Sequence, residues 1–445
     1  MLRLLNTFFT LYVVFPSILL LGVYLTWRLR CVQISKLRIS FAYLFQKREK
    51  GAEGDISHYQ AIASVLAGNF GTGNISGMAI ALATGGPGAL IWMWVMAFFG
   101  AAIQYTSCIL GVKYRQRNKD KEFVGGPMYY LRDGLGFKSL AMIFSLCTIF
   151  GAFTVGNLAQ VNSMVLPLEA LGVPPLWMGI VVALLVGLVI LGGLKRVAHV
   201  SSTVVPMMAL LYLGTAVAIL AAHSDQILPA FQTIFSSAFG SSPIAGGVIG
   251  YSVMKALTTG FDRAIFATDA GTGIVPILQA GARTKDPVTV GIVALVSPFM
   301  VMIVCTTTAL VLIITGAYGH LELKSTNMVA YAFNIGVGEP FGAFVVIIAL
   351  VLFGYTTALA WASCLDRAVG FLFGQSLVRP FQFLYICLVP VGAFLHVDFV
   401  WILADVALSL MVVTNLIGVA KLSKEVVSDT RTYFYMDKET GHEVV

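Results

Sequence analysis

The chain has 445 residues, of which 58% are hydrophobic and 11% are charged, and its formal net charge is +7. A charged share of roughly half the usual value excludes an ordinary soluble domain and predicts a helical protein with many membrane spans. The basic residues lie in short loops rather than on one face, so the positive charge does not indicate nucleic-acid binding. The cysteines show no CxxC or histidine spacing, which argues against a metal site or disulfide framework.

Eleven apolar stretches are long enough, at roughly 20 residues each, to cross a hydrocarbon core of about 30 Å. They cover residues 6–27, 57–84, 88–112, 139–166, 175–194, 201–222, 243–280, 288–316, 340–373, 379–397 and 400–420. The first exceeds a signal-peptide core and has no small-residue cleavage site after it, which predicts a retained helix. Alternate links, such as 28–50 and 113–121, are rich in lysine and arginine. Because basic loops stay in the cytoplasm, the N-terminus is predicted outside and the C-terminus inside.

The stretches divide the chain into four predicted units. These are an N-terminal helix with a basic cytoplasmic linker (1–56), a five-helix repeat (57–223), a second five-helix repeat (243–420) and a polar, mobile cytoplasmic tail (421–445). An odd number of helices per repeat inverts the second repeat relative to the first. The predicted fold is therefore an all-α polytopic membrane protein, a five-plus-five inverted repeat with discontinuous helices and one extra N-terminal helix. Within the linker, segment 31–50 suits either a helix on the inner leaflet or a solvated loop.

The same tripeptide interrupts two of these stretches, as Gly71-Thr72-Gly73 and as Gly271-Thr272-Gly273. Broken backbone inside lipid persists only where protein, a water-filled cavity or a ligand satisfies its polar groups. Matching breaks in two halves point to a transporter's binding site. The half-helix that starts near Asn74 would offer N–H groups to a carboxylate, and the one that ends near Phe70 would offer carbonyls to a cation. The alternative is that the glycines serve close helix packing.

Charged residues also fall inside the seventh stretch, at Asp262, Arg263 and Asp269. Each costs about 2.5–3.5 kcal/mol at a helix centre, so such residues normally have partners. One hypothesis is structural pairing of an aspartate with Arg263, and the other is a role in gating or coupling. Asp366 and Asp405 lie near helix ends, where snorkelling or an interfacial position accounts for them.

Polar residues on two further helices complete the candidates. Asn157 and Gln160 are i,i+3 neighbours and would bond a substrate, the backbone of a broken helix or another helix. Thr356 and Thr357 offer hydroxyl oxygens to Na+, although such threonines often bond their own i−4 carbonyls. Trp361 shares a face with Thr357 and would cap a small pocket.

Several motifs resemble the alanine/glycine:cation symporter family over about residues 57–420. In order they are GTGNISG, GGPGALIWMWVMAFFGAAIQY, GGPMYYL, GN-x-x-Q, RAIF-x-x-x-AG-x-G, TT-x-x-x-W and a final NLI. The resemblance implies a leucine-transporter-like fold. It also implies uptake of alanine or glycine with Na+, or with H+ in some members, across a bacterial or archaeal plasma membrane.

The same resemblance implies roles for individual residues. The substrate-binding set is Thr72, Gly73, Asn74, Gln160, Ala270, Gly271, Thr272 and Trp361. The sodium-binding set is Gly68, Gly71, Thr356 and Thr357, with Asn74 as the candidate for a second ion. The chain departs from the family where Thr268-Asp269 replaces the usual Asn-Glu, which leaves the coupling ion open.

The predicted function is therefore secondary active symport of small neutral amino acids with Na+ by alternating access. Proton-coupled symport through Asp262 or Asp269 is one alternative, and a passive amino-acid channel or sensor is another. No HExxH, GxSxG or Walker sequence occurs, so an enzyme is not predicted. The expected partners are an amino acid and the lipid bilayer, with no nucleic acid and no obligate protein partner.

Overall fold

The computed structural model describes residues 2–45, 51–169, 172–239, 246–320, 322–323 and 325–439, and these residues are almost entirely helical. Seven helices in these ranges are long and apolar enough to cross a membrane. They are Asn6–Arg28, Ala89–Lys113, Lys138–Glu169, Gly193–Ala222, Pro287–Ile314, Phe341–Phe373 and Val397–Phe434. The remaining predicted stretches are two interrupted helices and two shorter apolar helices, Pro175–Ile190 and Val378–Gly392. The predicted all-α polytopic architecture is confirmed.

The N-terminal region is one long helix followed by two short ones. Its elements are α1 (Leu2–Phe9), a π-helical turn (Thr10–Val14), α2 (Phe15–Arg28), α3 (Val32–Ser35) and α4 (Leu37–Leu44). The linker is thus helical through most of 31–45, whereas the predicted basic residues 46–50 lie outside the described residues. Tyr43 is buried while Ile34 and Phe45 are exposed, which suits helices lying along a membrane surface.

The first repeat begins at α5, whose first turn carries a capping box between Ser57 and Gln60. Its helices are α5 (His58–Asn69), α6 (Ser76–Gly85), α7 (Ala89–Lys113), α8 (Pro127–Tyr129), α9 (Lys138–Gly151), α10 (Ala159–Glu169), α11 (Pro175–Ile190) and α12 (Gly193–Ala222). A π-helical segment, Ala152–Leu158, joins α9 to α10, and another, Tyr130–Gly134, follows α8. A small antiparallel hairpin, β1 (Gln116–Arg117) and β2 (Phe123–Val124), lies between α7 and α8.

The rest of the chain, which contains the predicted second repeat, again includes an interrupted helix. Its helices are α13 (Ser224–Phe239), α14 (Gly246–Thr268), α15 (Ile274–Gln279), α16 (Pro287–Ala294), α17 (Val296–Ile314), α18 (Thr326–Val337), α19 (Phe341–Phe373), α20 (Val378–Gly392) and α21 (Val397–Glu439). Short 3-10 turns lie at Ala317–Gly319 and Gln375–Leu377. Residues 243–245, where the repeat was predicted to start, lie outside the described residues. Helices α13 and α18 lie in links between stretches and were not predicted.

The expectation of a mobile tail is wrong for residues 421–439, because α21 continues as a helix through Glu439. Side-chain contacts anchor this extension to the end of α7. Lys113 forms ion pairs with Glu425 at 2.7 Å and Asp429 at 2.6 Å, and the Tyr105 and Thr430 hydroxyls are 3.0 Å apart. Residues 440–445 lie outside the described residues.

Burial separates an inner set of helices from an outer set. Most side chains of α7, α16 and α19 are buried, whereas α11 and α12 leave large apolar side chains such as Leu188 and Leu210 exposed. Exposed leucines on the outer helices are what a lipid-facing surface requires. The candidate site therefore lies among the inner helices.

Candidate functional site

The two predicted breaks are present, and they meet. Helix α5 ends at Asn69, a 3-10 turn covers Thr72–Asn74, and α14 ends at Thr268. The Asn69 side chain bridges them, because its Nδ2 donates to the Thr268 carbonyl at 2.8 Å and to Ser297 Oγ at 2.5 Å. Sequence reasoning did not assign Asn69 a role. An asparagine beside a helix break was the available signal.

Gln160 satisfies the first break at the side where α6 begins. The Thr72 N–H and the Thr72 hydroxyl both donate to Gln160 Oε1 at 3.0 Å, and Gln160 Nε2 donates to the Val155 carbonyl at 2.9 Å. Gln160 follows the π-helical segment Ala152–Leu158, and such segments are frequent at functional sites. Of the predicted alternatives for Gln160, bonding to the backbone of a broken helix is the one observed.

Thr357 contacts the carbonyl end of α5. Its hydroxyl donates to the Ala67 carbonyl at 2.8 Å and lies 3.3 Å from the Gly68 carbonyl. The neighbouring Thr356 differs, because its hydroxyl donates to carbonyls of its own helix at Leu352 and Phe353. The structure therefore brings Thr357 to the first break but does not bring the Thr356 hydroxyl there.

Asn74 holds two more carbonyls of the first break. Its Nδ2 donates to the Asn69 carbonyl at 2.6 Å and to the Gly71 carbonyl at 3.3 Å, while its Oδ1 lies 3.2 Å from Cys305 Sγ. Carbonyls released from a helix ladder and fixed by side chains are the ligand type that transporters offer to Na+. The oxygens near Gly71 are thus oriented by Asn74, and those near Gly68 by Thr357.

The second break runs through backbone conformations that favour glycine. Asp269 has a φ of +50°, Gly271 of +87° and Gly273 of +89°. The Thr272 hydroxyl donates to the Asp269 carbonyl at 2.6 Å, and Asn415 Nδ2 donates to the Gly271 carbonyl at 2.8 Å. Both the predicted Thr272 and the previously unassigned Asn415 therefore fix the shape of this break.

Asp269 is the unusual residue of this break. Its side chain is only 2% exposed, and neither carboxylate oxygen has a hydrogen-bond partner among the described residues. A Cβ built on Gly68 would lie 4.0 Å from Asp269 Oδ2, so the carboxylate is close to the first break. The predicted Ala270 is fully buried beside α7, where a Cβ on Gly100 would lie 2.9 Å from the Ala270 Cβ.

Trp361 lies one helical turn after Thr357 and packs against the fourth predicted span. It is 1% exposed, and a Cβ on Gly151 or Gly156 would overlap its side chain. No hydrogen bond within the described part of the chain joins Trp361 to either break. The structure therefore places Trp361 between α19 and the π-helical segment, next to the Gln160 helix.

Arg263 pairs with Asp405 of α21 rather than with Asp262 or Asp269. One guanidinium nitrogen donates to both Asp405 carboxylate oxygens, and the Asp405 side chain is 11% exposed. Asp262 instead accepts a hydrogen bond from the Thr10 hydroxyl at 2.8 Å, which ties α14 to the N-terminal helix. Asp405 was expected at the interface, and only the fold reveals its partner.

Two aromatic rings cover the same region on the side predicted to face outward. The Phe266 and Trp401 ring centroids are 4.5 Å apart, and the Arg263 guanidinium lies 4.6 Å from the Trp401 ring. A Cβ on Gly73 would overlap the Phe266 ring, so Gly73 lies directly beneath it. Sequence reasoning missed both rings, although Trp401 and Asp405 share the i,i+4 spacing of one helix face.

The opposite side is closed by backbone pairing before α5 and after α15. Two β-bridges join Glu53 to Thr284 and Ile56 to Ala282. The Arg115 guanidinium donates to the carbonyls of Ala280 at 3.0 Å, Ala282 at 2.8 Å and Glu53 at 2.9 Å. The sequence predicts Arg115 only as one of the basic residues of a cytoplasmic link.

Two other candidate residues lie apart from the breaks. Asn157 Nδ2 donates to the Tyr385 carbonyl of α20 at 2.7 Å, which matches the helix-to-helix hypothesis. Asp366 Oδ2 accepts a hydrogen bond from Gln382 Nε2 at 2.8 Å, also next to α20. These contacts connect the π-helical segment Ala152–Leu158 and α19 to α20 rather than to the breaks.

Comparisons with known proteins identify a family that covers the whole of the given sequence. A sequence model of the sodium:alanine symporter family matches residues 1–445. The sodium/alanine symporter AgcS of Methanococcus maripaludis is 39% identical over 422 residues, which cover 93% of this chain and 92% of that protein. The sodium/proton-dependent alanine carrier protein of Bacillus sp. (strain PS3) is 32% identical over 399 residues, which cover 84% and 87%.

A solved structure is similar in fold. The crystal structure of MhsT in complex with L-phenylalanine aligns with a TM-score of 0.62 and 11% identity, covering 86% of this chain and 93% of that one. At this identity the likeness shows the fold alone, which is that of the leucine transporter. The predicted inverted repeat with discontinuous helices is confirmed.

Proposed function

This chain belongs to the sodium:alanine symporter family, and on that premise we propose that it carries alanine and glycine across a membrane together with Na+. Its family consists of transporters, so the substrate crosses chemically unchanged. The observation that carries the proposal is the meeting of two helix breaks among buried helices, linked by Asn69. Gln160, Thr357 and Asn74 hold the polar groups of the first break in place.

In this proposal the substrate carboxylate binds where α6 begins, at Thr72, Gly73 and Asn74. The backbone N–H groups at the start of a helix and the positive end of its dipole favour an anion there. The carboxylate would take over the Thr72 N–H from Gln160 Oε1, which then becomes an acceptor for the substrate's ammonium group. Crowding of Gly73 by Phe266 supports a small substrate side chain.

The other predicted substrate residues complete the pocket. The second break contributes its backbone at Ala270, Gly271 and Thr272, and Trp361 closes the pocket from α19. Gly156 and Gly151 leave room for the Trp361 side chain, which supports this arrangement. A bulkier residue at either glycine would displace the ring.

The proposed Na+ is a second substrate, bound between α19 and the carbonyl end of α5. Thr357 and the carbonyls near Gly68 and Gly71 would bind it, with Asn74 available to a second ion. Thr356 would contribute only after its hydroxyl leaves the Leu352 carbonyl. An ion that ties α19 to α5 in one conformation and not in the other would couple its own gradient to transport.

Two further groups of contacts are proposed gates. Arg263 and Asp405, with Asp262 beside them, would open on the outer side, and the pairing of 53–56 with 281–284 would open on the inner side. Alternating access requires that the two gates not open together.

Proton coupling through Asp269 is the second candidate, and a specific observation favours it. A buried carboxylate without a hydrogen-bond partner is costly in a membrane unless a proton or a cation neutralises it. A relative is named a sodium/proton-dependent alanine carrier. Asp269 would bind either H+ or a cation, and Asn69 Oδ1, which also lacks a described partner, lies near the same junction.

Uptake by purified protein in proteoliposomes tests these alternatives. Radiolabelled alanine and glycine are supplied with an inward Na+ gradient, with choline replacing Na+ at fixed pH, or with a pH gradient alone. Accumulation above the external concentration only with Na+ supports the proposal. Accumulation driven by the pH gradient alone supports proton coupling, and equilibration without accumulation supports a passive channel. Competition by other amino acids then defines the substrate range.

The protein is a multi-pass membrane protein with prokaryotic relatives. We assign it to a prokaryotic plasma membrane with the N-terminus outside and the C-terminus in the cytoplasm, as the basic links predict. Cys31 is exposed directly after α2, on the predicted cytoplasmic side. A membrane-impermeant maleimide is expected to label Cys31 in inside-out vesicles and not in intact cells, and the reverse would invert the topology.

A further inference from the structure

A basic cavity lies at the end of the N-terminal helix, remote from the breaks. It has a volume of about 470 Å³ and is bounded by the end of α2, by α3 and by the extension of α21. Its polar lining consists of four cationic side chains and two hydroxyls, namely Arg28, Arg30, Lys36, Arg431, Ser35 and Thr430. Among the described residues, no aspartate or glutamate lines it.

The arginines of this cavity lack anionic partners in the described part of the chain. None of the ion pairs between described residues involves Arg28, Arg30 or Arg431. Arg28 Nε is buried and has no hydrogen-bond acceptor there. A buried guanidinium nitrogen without an acceptor costs free energy, so the cavity is built for an anion that supplies one.

The position of the cavity identifies the source of that anion. Leu20, Val23 and Trp27 form an exposed apolar stripe along α2 that ends directly before Arg28, and Leu20 is 72% and Trp27 74% exposed. Tryptophan at the end of a span marks the level of the lipid headgroups. Ile34 on α3 is exposed as well.

From these observations we infer that the cavity binds the phosphate of an anionic phospholipid on the predicted cytoplasmic leaflet. Guanidinium groups bind phosphate oxygens through paired, charge-assisted hydrogen bonds. Basic pockets between helices on the cytoplasmic side are suited to such headgroups. The acyl chains lie along Leu20, Val23 and Trp27, and the phosphate bridges α2 to the α21 extension.

This bridge adds to the direct packing of α2 against α21. The α21 extension is tied to α7 through Lys113 and to α4 through the Tyr43 and Tyr433 hydroxyls, 2.9 Å apart. Lys36 Nζ lies 3.8 Å from the Phe434 ring centroid at the cavity wall. Bound lipid therefore stabilises the packing of the tail helix against the N-terminal helix.

The test uses delipidated full-length protein in detergent. Phosphatidylglycerol at a saturating concentration is expected to raise Tm by about 2–4 °C, because a ligand that binds only the folded protein stabilises it. Phosphatidylcholine with the same acyl chains and inorganic phosphate are the comparison ligands. Native mass spectrometry independently counts the retained lipid. A shift with phosphatidylglycerol alone supports the lipid source, and a shift with inorganic phosphate as well supports the same phosphate site filled from solution.

Variants connect the shift to the cavity. Arg28→Gln combined with Arg431→Gln is expected to abolish the shift and to lower lipid retention about tenfold or more. Because Arg431 is exposed, Arg431→Gln alone provides a variant that folds, with a reduced shift. Lys119→Gln combined with Lys195→Gln removes the same charge from exposed positions outside the cavity and is expected to keep the full shift. An equal shift in the cavity variants, or no shift with phosphatidylglycerol in the parent protein, would overturn the inference.

Discussion

The two helix breaks contain the same Gly-Thr-Gly sequence but satisfy their polar groups differently. In the first break, side chains from two other helices and from the break itself bond the released backbone groups. Gln160 accepts from Thr72, Thr357 donates to Ala67, and Asn74 donates to Asn69 and Gly71. The polar groups of the first break are therefore held in fixed orientations by side chains, and a ligand could replace these hydrogen bonds individually.

In the second break, the backbone is held by Thr272 and Asn415, yet the Asp269 carboxylate has no described partner. Polar groups that already have hydrogen-bond partners are stable before a ligand binds. An unpaired buried charge instead requires a counter-charge or a proton. From this comparison we propose that the first break binds the substrate and Na+, and that Asp269 in the second break adds a carboxylate that a cation or a proton must neutralise.

Replacing Asp269 by asparagine has the largest expected effect. Asp269→Asn keeps the shape but removes the charge, and we expect ion-driven alanine uptake to fall about 100-fold, because bonds to charged groups contribute about 1.5–3 kcal/mol each. Uptake in proteoliposomes under Na+ and pH gradients measures this. Asp366→Asn is the matched control, since Asp366 accepts a hydrogen bond from Gln382 apart from both breaks and its replacement is expected to keep the ion dependence. If the ion dependence of uptake is unchanged in Asp269→Asn, the Asp269 carboxylate has no role in ion coupling.

Replacing Trp361 tests its proposed role as a lid on the substrate, separately from the roles of the two breaks. Trp361→Ala is expected to lower the stability by about 3–5 kcal/mol, because the ring is fully packed against Gly151 and Gly156. The KM for alanine is expected to rise as well, while the Na+ concentration for half-maximal uptake stays within about twofold, a difference below about 0.4 kcal/mol. Thermal unfolding and uptake kinetics measure the two effects. An unchanged KM in protein that remains folded would exclude the lid role.

Asn69 tests whether contact between the breaks matters. Asn69→Ala leaves the buried Thr268 carbonyl and Ser297 hydroxyl without this donor, at an expected cost of about 1–3 kcal/mol. Both the KM for alanine and the half-saturating Na+ concentration are expected to rise together, because one residue supports both breaks. A change in only one of them would show that the breaks act independently.

The adjacent threonines provide the smallest and most specific comparison. Thr357→Ala is expected to raise the half-saturating Na+ concentration about tenfold, or about 1.4 kcal/mol, since its hydroxyl lies at the α5 carbonyls. Thr356→Ala removes a hydroxyl that bonds its own helix and is expected to change this value less than about twofold. Sodium titration of uptake at saturating alanine measures both. Equal effects would require that Thr356 also reach the ion.

Much of the fold follows from local patterns, whereas the partners of the site residues do not. Apolar length predicted the spans and paired glycines predicted the breaks, because both depend only on chemistry within a segment. Helices α13 and α18 were missed since they are not membrane-length. The tail was misread because polar composition suggested mobility, while Lys113 and Tyr105 hold it as a helix from another part of the chain.

The site divides in the same way. The sequence identifies Thr72, Asn74, Gln160 and Thr357 as candidate site residues. Polar side chains are costly inside apolar membrane helices, and those that occur there usually have a structural or functional role. The sequence could not predict that Arg263 pairs with Asp405. It also could not predict that Thr357 rather than Thr356 contacts α5. Rotation about a helix axis and the approach of residues 142 positions apart are set by packing rather than by local spacing.

By itself the sequence determined that this is a membrane protein of interrupted helices in two opposed repeats, since hydropathy and glycine placement act along the chain. Only the tertiary structure decided which polar groups are satisfied and which are not. Asn69 and Asp269 are both polar residues beside a break, yet one bridges two helices and the other has no described partner. Hydrogen-bond satisfaction is a property of three-dimensional neighbours, and that is why it becomes visible only in the folded molecule.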